Sequence, residues 1–192
     1  MTMSVSPGTL LRNLWLALLL VWLAGALSTK RVVRRQPAAQ RLAQFALGLT
    51  ALALLFVSSL NVGWLGWRFV KQGPGVEYAG VAITAAGMAL AVWARVVLGR
   101  NWSGNVTVKA NHELVQRGPY RLVRHPIYSG VTLALLGTAV SVGEVRALLA
   151  VLVVLLAWRI KWPVEERFMI EQFGDQYVQY RRRVKAIVPG LW

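Results

Sequence analysis

The 192-residue sequence contains no cysteine, and only seven acidic residues and two histidines. The missing cysteine excludes disulfides, thiolate metal centres and a cysteine nucleophile. So few histidines and carboxylates also argue against a protein-ligated metal, and no metal site is expected. Asp175 is the single aspartate, so a Ser-His-Asp triad has no second candidate for its acid. Phosphate-cradling G-x-x-x-x-G-K-[ST], dinucleotide G-x-G-x-x-G, H-E-x-x-H and G-x-S-x-G patterns are all missing, which removes the soluble nucleotide-binding and hydrolase frameworks. Charge is scarce too: 15% of residues are charged, against about 25% in a soluble domain.

What is present points to a membrane. Hydrophobic residues make up 56% of the chain and nine tryptophans are available for interfacial belts. The net charge of +15 falls in short clusters between apolar runs, not along one groove or tail, so nucleic acid is not an expected partner. Apolar stretches cover 10–27, 42–60 and 76–99, and then a pair, 127–142 and 147–163, split at Gly143-Glu144. The first three approach the ~20 residues of a spanning helix. The pair reads as a helical hairpin whose halves are short and cross fully only with snorkelling ends or a thinned bilayer. The fold class expected is therefore all-α, with about five transmembrane helices in a single membrane domain over 1–192: an N-terminal helix pair in 1–60 and a core in 76–192.

The basic residues orient it. Lys30, Arg31, Arg34, Arg35 and Arg41 crowd the first loop, and further clusters fill 95–125 and the tail from Arg159, while Arg12, Arg68, Lys71 and Arg146 are all that fall elsewhere. Placing the rich segments inside gives an outside N-terminus and a cytoplasmic C-terminus. The Ala/Gly content of 76–99 would let neighbouring helices approach closely, and Ala82, Ala86, Gly87 and Ala91 are expected to leave a gap for an apolar chain.

Polar groups gather in two segments on that cytoplasmic side. One is 100–130, with Asn101, Trp102, Asn105, His112, Tyr120, Arg124, His125 and Tyr128. The other is 158–183, with Arg159, Lys161, Glu165, Glu166, Tyr177 and Tyr180. A hairpin over 127–163 goes out and returns, so it brings His125 and Tyr128 to Glu165, and Lys161 and Glu165 share a helical face, with Pro163 a candidate kink. Plainer readings stand beside this one. Arg124 and His125 could touch lipid phosphates, Glu165 and Glu166 could open a solvated helix, and 176–184 reads as an amphipathic surface helix with Arg181 to Arg183 toward anionic lipid. Convergence of both charge signs with aromatic rings is what favours a site.

The stretches "ARVVLGRNWSG" (94–104), "HELVQRGPYRLVRHPIYSG" (112–130) and "EERFMIEQFGDQYVQYRRRVKAIVP" (165–189) resemble the isoprenylcysteine carboxyl methyltransferase family of integral-membrane enzymes and its phospholipid methyltransferase relatives. The resemblance covers about the C-terminal half; the first two helices carry no signature. It implies S-adenosyl-L-methionine as cofactor, contacted by His112, Leu114, Val115, Tyr120, His125, Pro126 and Tyr128. It also implies a cofactor-holding glutamate at Glu165, with Glu166 second. Asn105 stands where the family often has glutamine, and the family's substrate-side arginine falls near Lys161 or Arg159. Arg124 or His125 would meet the cofactor carboxylate and Glu165 its ammonium. Were the acceptor a hydroxyl or amine, the base would come from Glu165, Glu166 or His125. The implied acceptor is lipophilic, a prenylcysteine-type carboxylate or another lipid-like group. Two other classes compete: a membrane reductase of the sterol-reductase type using a nicotinamide cofactor, and a non-catalytic membrane scaffold.

Overall fold

A computed structural model describes residues 5–26, 32–35, 37–102, 107–109 and 113–190. Its long helices are α1 (Pro7–Ala26), α2 (Ala38–Phe56), α3 (Pro74–Leu98), α4 (Pro126–Val142) and α5 (Val145–Phe173), followed by a short α6 (Asp175–Arg183). The architecture is helical as expected, apart from one short antiparallel pair, β1 (Val32–Arg35) with β2 (Thr107–Lys109). Four helices are long and apolar enough to cross a membrane; α4, with 17 residues, is shorter than the rest.

Local chemistry sets the helix limits. Proline opens α1, α3 and α4, where its missing N–H costs nothing and its fixed φ suits the first turn. Gly143, at φ 72°, ends α4 in the left-handed region that a side chain disfavours. Pro163 does not end α5, which runs on to Phe173. The continuation beyond it is anchored by side chains, with Glu166 and Phe168 both buried.

The α3–α4 seam is the tightest packing in the molecule. Gly80, Thr84, Gly87 and Ala91 on α3 face Gly130, Ala134, Gly137 and Ser141 on α4, two antiparallel stripes with the same spacing. A Cβ added at Gly80 would stand 2.5 Å from the Ser141 nitrogen, and one at Gly130 would stand 2.6 Å from the Ala91 nitrogen. Only glycine permits this approach, the small-residue packing of membrane helices. Inside the seam Thr84 Oγ1 donates to Gly80 O at 2.9 Å or Ala134 O at 3.2 Å, and pairs with Thr138 Oγ1 at 3.2 Å.

The expected gap at Ala82, Ala86, Gly87 and Ala91 is therefore absent. Gly87 and Ala91 are buried against α4, while Ala82 and Ala86 lie exposed on the opposite face. Positions 82/86 and 87/91 are each four apart, so each pair shares a face, but the pairs are offset by five residues, about 140° around the helix, and cannot share the same one.

On the other side α2 meets α5 and α4 through Ala51, Leu55, Leu135, Ala139, Ala147, Ala150 and Val151. Their far end is tied by a buried ion pair. Arg146 Nε donates to Glu144 Oε2 at 2.6 Å, and its Nη1 donates to Leu54 O at 2.7 Å at the α2 C-terminus. Asn61 Nδ2 donates to the other carboxylate oxygen, Glu144 Oε1, at 3.0 Å. The opposite end of the bundle is left to carry the site.

Candidate functional site

At that end the chain termini of five helices surround a cavity of about 350 Å³, within the range of small-molecule pockets. Its polar wall is Arg124, His125, Lys161 and Glu165, with Glu113 opposite, and its apolar wall includes Leu114, Val115, Tyr120, Tyr128 and Trp158. The hairpin α4–α5 brings His125 Nδ1 to 3.6 Å from Glu165 Oε2, and Lys161 Nζ stands 3.7 Å from Glu165 Oε1.

Glu165 and Glu166 are neighbours with different surroundings. Glu166 is buried and its Oε1 accepts from Arg124 Nε at 2.8 Å, with Arg124 Nη2 at 2.6 Å and His125 Nε2 at 3.3 Å; Arg181 Nη1 is 3.7 Å from its other oxygen. Arg124 Nη1 also donates to the carbonyls of Arg181 and Val184. The Arg124 guanidinium is thus engaged on every side by the protein. Of the two residues expected to meet a ligand carboxylate, Arg124 or His125, Arg124 is already held by Glu166 and by tail carbonyls that the sequence did not reveal. Glu165, by contrast, lines the cavity, hydrogen-bonded to the Tyr128 side chain and with His125 and Lys161 further off at 3.6 and 3.7 Å.

Aromatic rings form a column through the site. Tyr128 stacks on Trp158 at 4.2 Å and on His125 at 5.2 Å, and His125 in turn stacks on Trp162 at 6.2 Å. Lys161 Nζ sits 5.3 Å from the Tyr128 ring centroid, a cation–π distance. The column fixes the His125 ring between the two carboxylates.

Three tyrosines outside the helical spans close the cavity from the tail side. Tyr180 donates its hydroxyl to Tyr120 O at 2.6 Å. Burial pushes the Tyr120 phenol well above its usual range, with Tyr180 and Glu165 adding to the effect. Burial and then Glu166 raise Tyr177, and burial raises Tyr180 although Arg124 opposes it. All three stay neutral through ordinary pH. The reading of 176–184 as a surface helix is corrected accordingly: Tyr177 and Tyr180 are each 3% exposed and line the cavity, while Arg181 to Arg183 do remain on the outside.

Pro126 is fully buried as the first residue of α4 and positions the helix without lining the cavity. Arg159 is exposed, its guanidinium 5.6 Å over the Trp162 ring, and is not part of the cavity wall. It points away because Lys161, not Arg159, shares the inward face with Glu165. Asn105 and His112 lie outside the described residues. The sequence alone also missed Trp22, Leu98, Phe168 and Met169, which line the cavity. Trp22 comes from α1 and meets Trp102 edge to face at 6.2 Å. Arg95 fastens that corner, its Nη2 donating to Gly25 O at 2.6 Å and its guanidinium 4.4 Å from the Trp102 ring centroid.

The phospholipid methyltransferase family profile matches residues 76–176, and the chain belongs to that family, which includes the isoprenylcysteine methyltransferases. It is similar to protein-S-isoprenylcysteine O-methyltransferase B of Arabidopsis thaliana, 32% identical over 125 residues, covering 62% of this chain and 62% of the relative. The Schizosaccharomyces pombe protein-S-isoprenylcysteine O-methyltransferase is 38% identical over 99 residues, 50% of this chain and 42% of the relative. Methanethiol S-methyltransferase 1 of Bradyrhizobium diazoefficiens is 37% identical over 70 residues, 36% of this chain and 24% of the relative. The chain thus spans about three fifths of the length of the Arabidopsis relative.

Proposed function

We propose that the chain is an integral-membrane S-adenosyl-L-methionine-dependent methyltransferase acting on a lipophilic acceptor. The observation that carries this reading is the cavity itself, in which a partly exposed carboxylate, a lysine and a histidine are set among stacked rings. The relatives' names agree with it. S-adenosyl-L-methionine has an ammonium, a carboxylate and a sulfonium, and the lining offers a counterpart to each. Glu165 would hold the ammonium and His125 or Lys161 the carboxylate, while the Tyr128 and Trp158 rings suit a sulfonium. Asn101 Oδ1 adds a specific fit: it lines the cavity, is buried and has no hydrogen-bond partner among the described residues, so it can accept from an amine of the cofactor. Leu114, Val115 and Tyr120 complete the apolar side.

The cofactor supplies an activated methyl group on a cationic sulfur. The protein's part is then positioning and exclusion of water. The phenols of Tyr120, Tyr177 and Tyr180 stay uncharged and close the tail side, and Glu166 acts through Arg124 and His125, holding both in place. Where the acceptor carries a proton, Glu165 is the accessible base. The acceptors in the relatives' names, an isoprenylcysteine and methanethiol, differ in size but both react at a terminal group on a small head. We place five crossings in the membrane with the N-terminus outside and the cavity at the cytoplasmic face, following the Lys and Arg asymmetry.

Calorimetry on the purified protein tests the reading. S-adenosylhomocysteine should bind and a reduced nicotinamide should not, and tritiated methyl should pass to membrane lipid or to prenylcysteines. Nicotinamide binding without S-adenosylhomocysteine binding would favour a reductase, and binding of neither would favour a scaffold.

A further inference from the structure

Arg95 is a cation on an apolar helix and is only 6% exposed. Burying such a charge among membrane helices is expensive, so its surroundings call for a reason. Among the described residues no carboxylate answers it. Its acceptors are two backbone carbonyls, Gly99 O to Nη1 at 2.9 Å and Gly25 O to Nη2 at 2.6 Å, and its guanidinium lies 4.4 Å from the Trp102 ring centroid. Each of the three belongs to a different piece of the site. Gly25 lies in the last turn of α1, where carbonyls lack partners within the helix. Gly99 ends α3 at φ 56° and begins the short turn that carries Asn101 and Trp102 to the cavity wall. Trp22, one turn before Gly25, meets Trp102 edge to face and lines the same wall. Gly25 is also fitted to this contact, because a Cβ there would stand 2.6 Å from Arg95 Nη2.

The rest of α1 is loosely held. Leu11 is its one buried residue among those described, and its other side-chain tie along the helix is Trp15 Nε1, which donates to Thr138 Oγ1 at 3.1 Å. Tyr78 donates to Val5 O just ahead of the helix, at the end remote from the cavity. We propose that Arg95 is a positioning residue for the cofactor cavity, latching the end of α1 to the turn after α3 so that Trp22 and Trp102 stand as one wall. The inference rests on the methyltransferase reading for the identity of the ligand. It goes beyond that reading by giving a part in the site to α1, which lies outside the segment matched by the family profile. Arginine suits the role because two forked nitrogens and a flat face serve two carbonyls and a ring at once, which a lysine ammonium cannot do.

The test uses the full chain in nanodiscs and needs two readouts. The chain has no cysteine, so spin labels at L23C and V96C, both exposed positions, report the distance between α1 and α3 by electron resonance without any ligand. R95Q should broaden that distance distribution and weaken S-adenosylhomocysteine binding several-fold by calorimetry. G25A keeps the arginine but displaces its guanidinium, so it should act like R95Q and serves in its place if R95Q does not fold. R95K should recover only part of the loss. In a W22A background R95Q should cost almost nothing further, since residues acting through one another are not additive. An unmoved α1 with wild-type affinity in both R95Q and G25A would overturn the proposal. So would a displaced α1 with wild-type affinity, or losses from R95Q and W22A that simply add, since either makes Arg95 a helix cap with no bearing on the site. A wild-type protein that binds no S-adenosylhomocysteine, while R95Q still releases α1, would instead sink the methyltransferase reading and leave the latch standing.

Discussion

Replacing Glu165 and Glu166 one at a time by glutamine should produce two different failures. The Glu166 carboxylate is 9% exposed, with Arg124 at 2.6 Å and a second contact from the same guanidinium at 2.8 Å. Removing one partner of a buried ion pair costs about 3–5 kcal/mol. Glutamine keeps one acceptor oxygen, and the carbonyls of Arg181 and Val184 still hold Arg124, so the loss should sit at the low end, about 3 kcal/mol. For a chain of this size 1 kcal/mol is roughly 2–4 °C, which puts the E166Q melting point about 6–12 °C below wild type. Glu165 is 23% exposed and its nearest basic groups, His125 and Lys161, are 3.6 and 3.7 Å away, so E165Q should melt within about 2 °C of wild type, as loosely paired, partly exposed carboxylates contribute little. Its effect should be on binding. Losing the counter-charge to an ammonium costs on the order of 2 kcal/mol or more, a fall in S-adenosylhomocysteine affinity of about thirtyfold. Both numbers come from one experiment, differential scanning fluorimetry in detergent with and without the ligand. An E166Q variant that melts normally but cannot bind, beside an E165Q variant that binds normally, would mean the two roles are reversed and the geometry misread.

Other outcomes follow from single features of the structure. W22A should weaken S-adenosylhomocysteine binding several-fold by calorimetry while W22F restores most of it, since the wall contributed by α1 needs a ring; equal binding by all three would remove α1 from the site. G130L should fail to yield a monodisperse protein by size-exclusion chromatography, because its side chain would have to enter the Ala91 backbone, whereas A86L, on the exposed face, should be tolerated. Stability in detergent should be level up to about pH 9 and fall above pH 10: the unfolded phenols ionise near 10 while Tyr120, Tyr177 and Tyr180 are held above that when folded, so ionisation favours the unfolded chain as pH rises. Y177F should soften this alkaline loss. Single cysteines at Val5, Ala38, Val62 and Val188, the exposed positions nearest each membrane face, should react with an impermeant maleimide in intact cells at Val5 and Val62 and not at the other two; the reverse pattern would invert the orientation.

The helices were legible in the sequence because length and hydropathy are local properties, and so was the meeting of His125 with Glu165, which follows from a hairpin returning to its start. The partners of the small residues were not. Gly80, Gly87, Gly130 and Gly137 show their role only when α3 and α4 are set side by side and the two spacings are seen to coincide. The fates of Tyr177 and Tyr180 depended on the tail folding back, and an isolated Q-Y-V-Q-Y-R-R-R pattern cannot distinguish a helix lying on lipid from one roofing a cavity. Trp22 carried no signal at all: a tryptophan near the end of an apolar helix has the same appearance whether it faces lipid headgroups or a ligand. The continuation of α5 past Pro163 was likewise settled by tertiary anchoring at Glu166 and Phe168, which outweighs one missing backbone bond.

Why adjacent residues Arg124 and His125 take opposite tasks is a matter of backbone. Residues 123–125 run beside the tail: Val123 bridges Lys185, Arg124 N donates to Lys185 O at 2.8 Å and His125 N to Ala186 O at 2.9 Å. The Arg124 guanidinium turns toward the tail carbonyls of Arg181 and Val184, and the His125 ring toward Tyr128 of α4 and Trp162 of α5. Glu166 is reached by both, which lets a single buried carboxylate fix the guanidinium and the imidazole together. Pro126 then starts α4 at once, so no loop separates the anchored histidine from the helix that carries Tyr128. The density of charge in "RLVRHPIYSG" is thereby divided: Arg124, at the edge of the cavity, neutralises a buried carboxylate and pins the tail, while His125 stands between that carboxylate and Glu165.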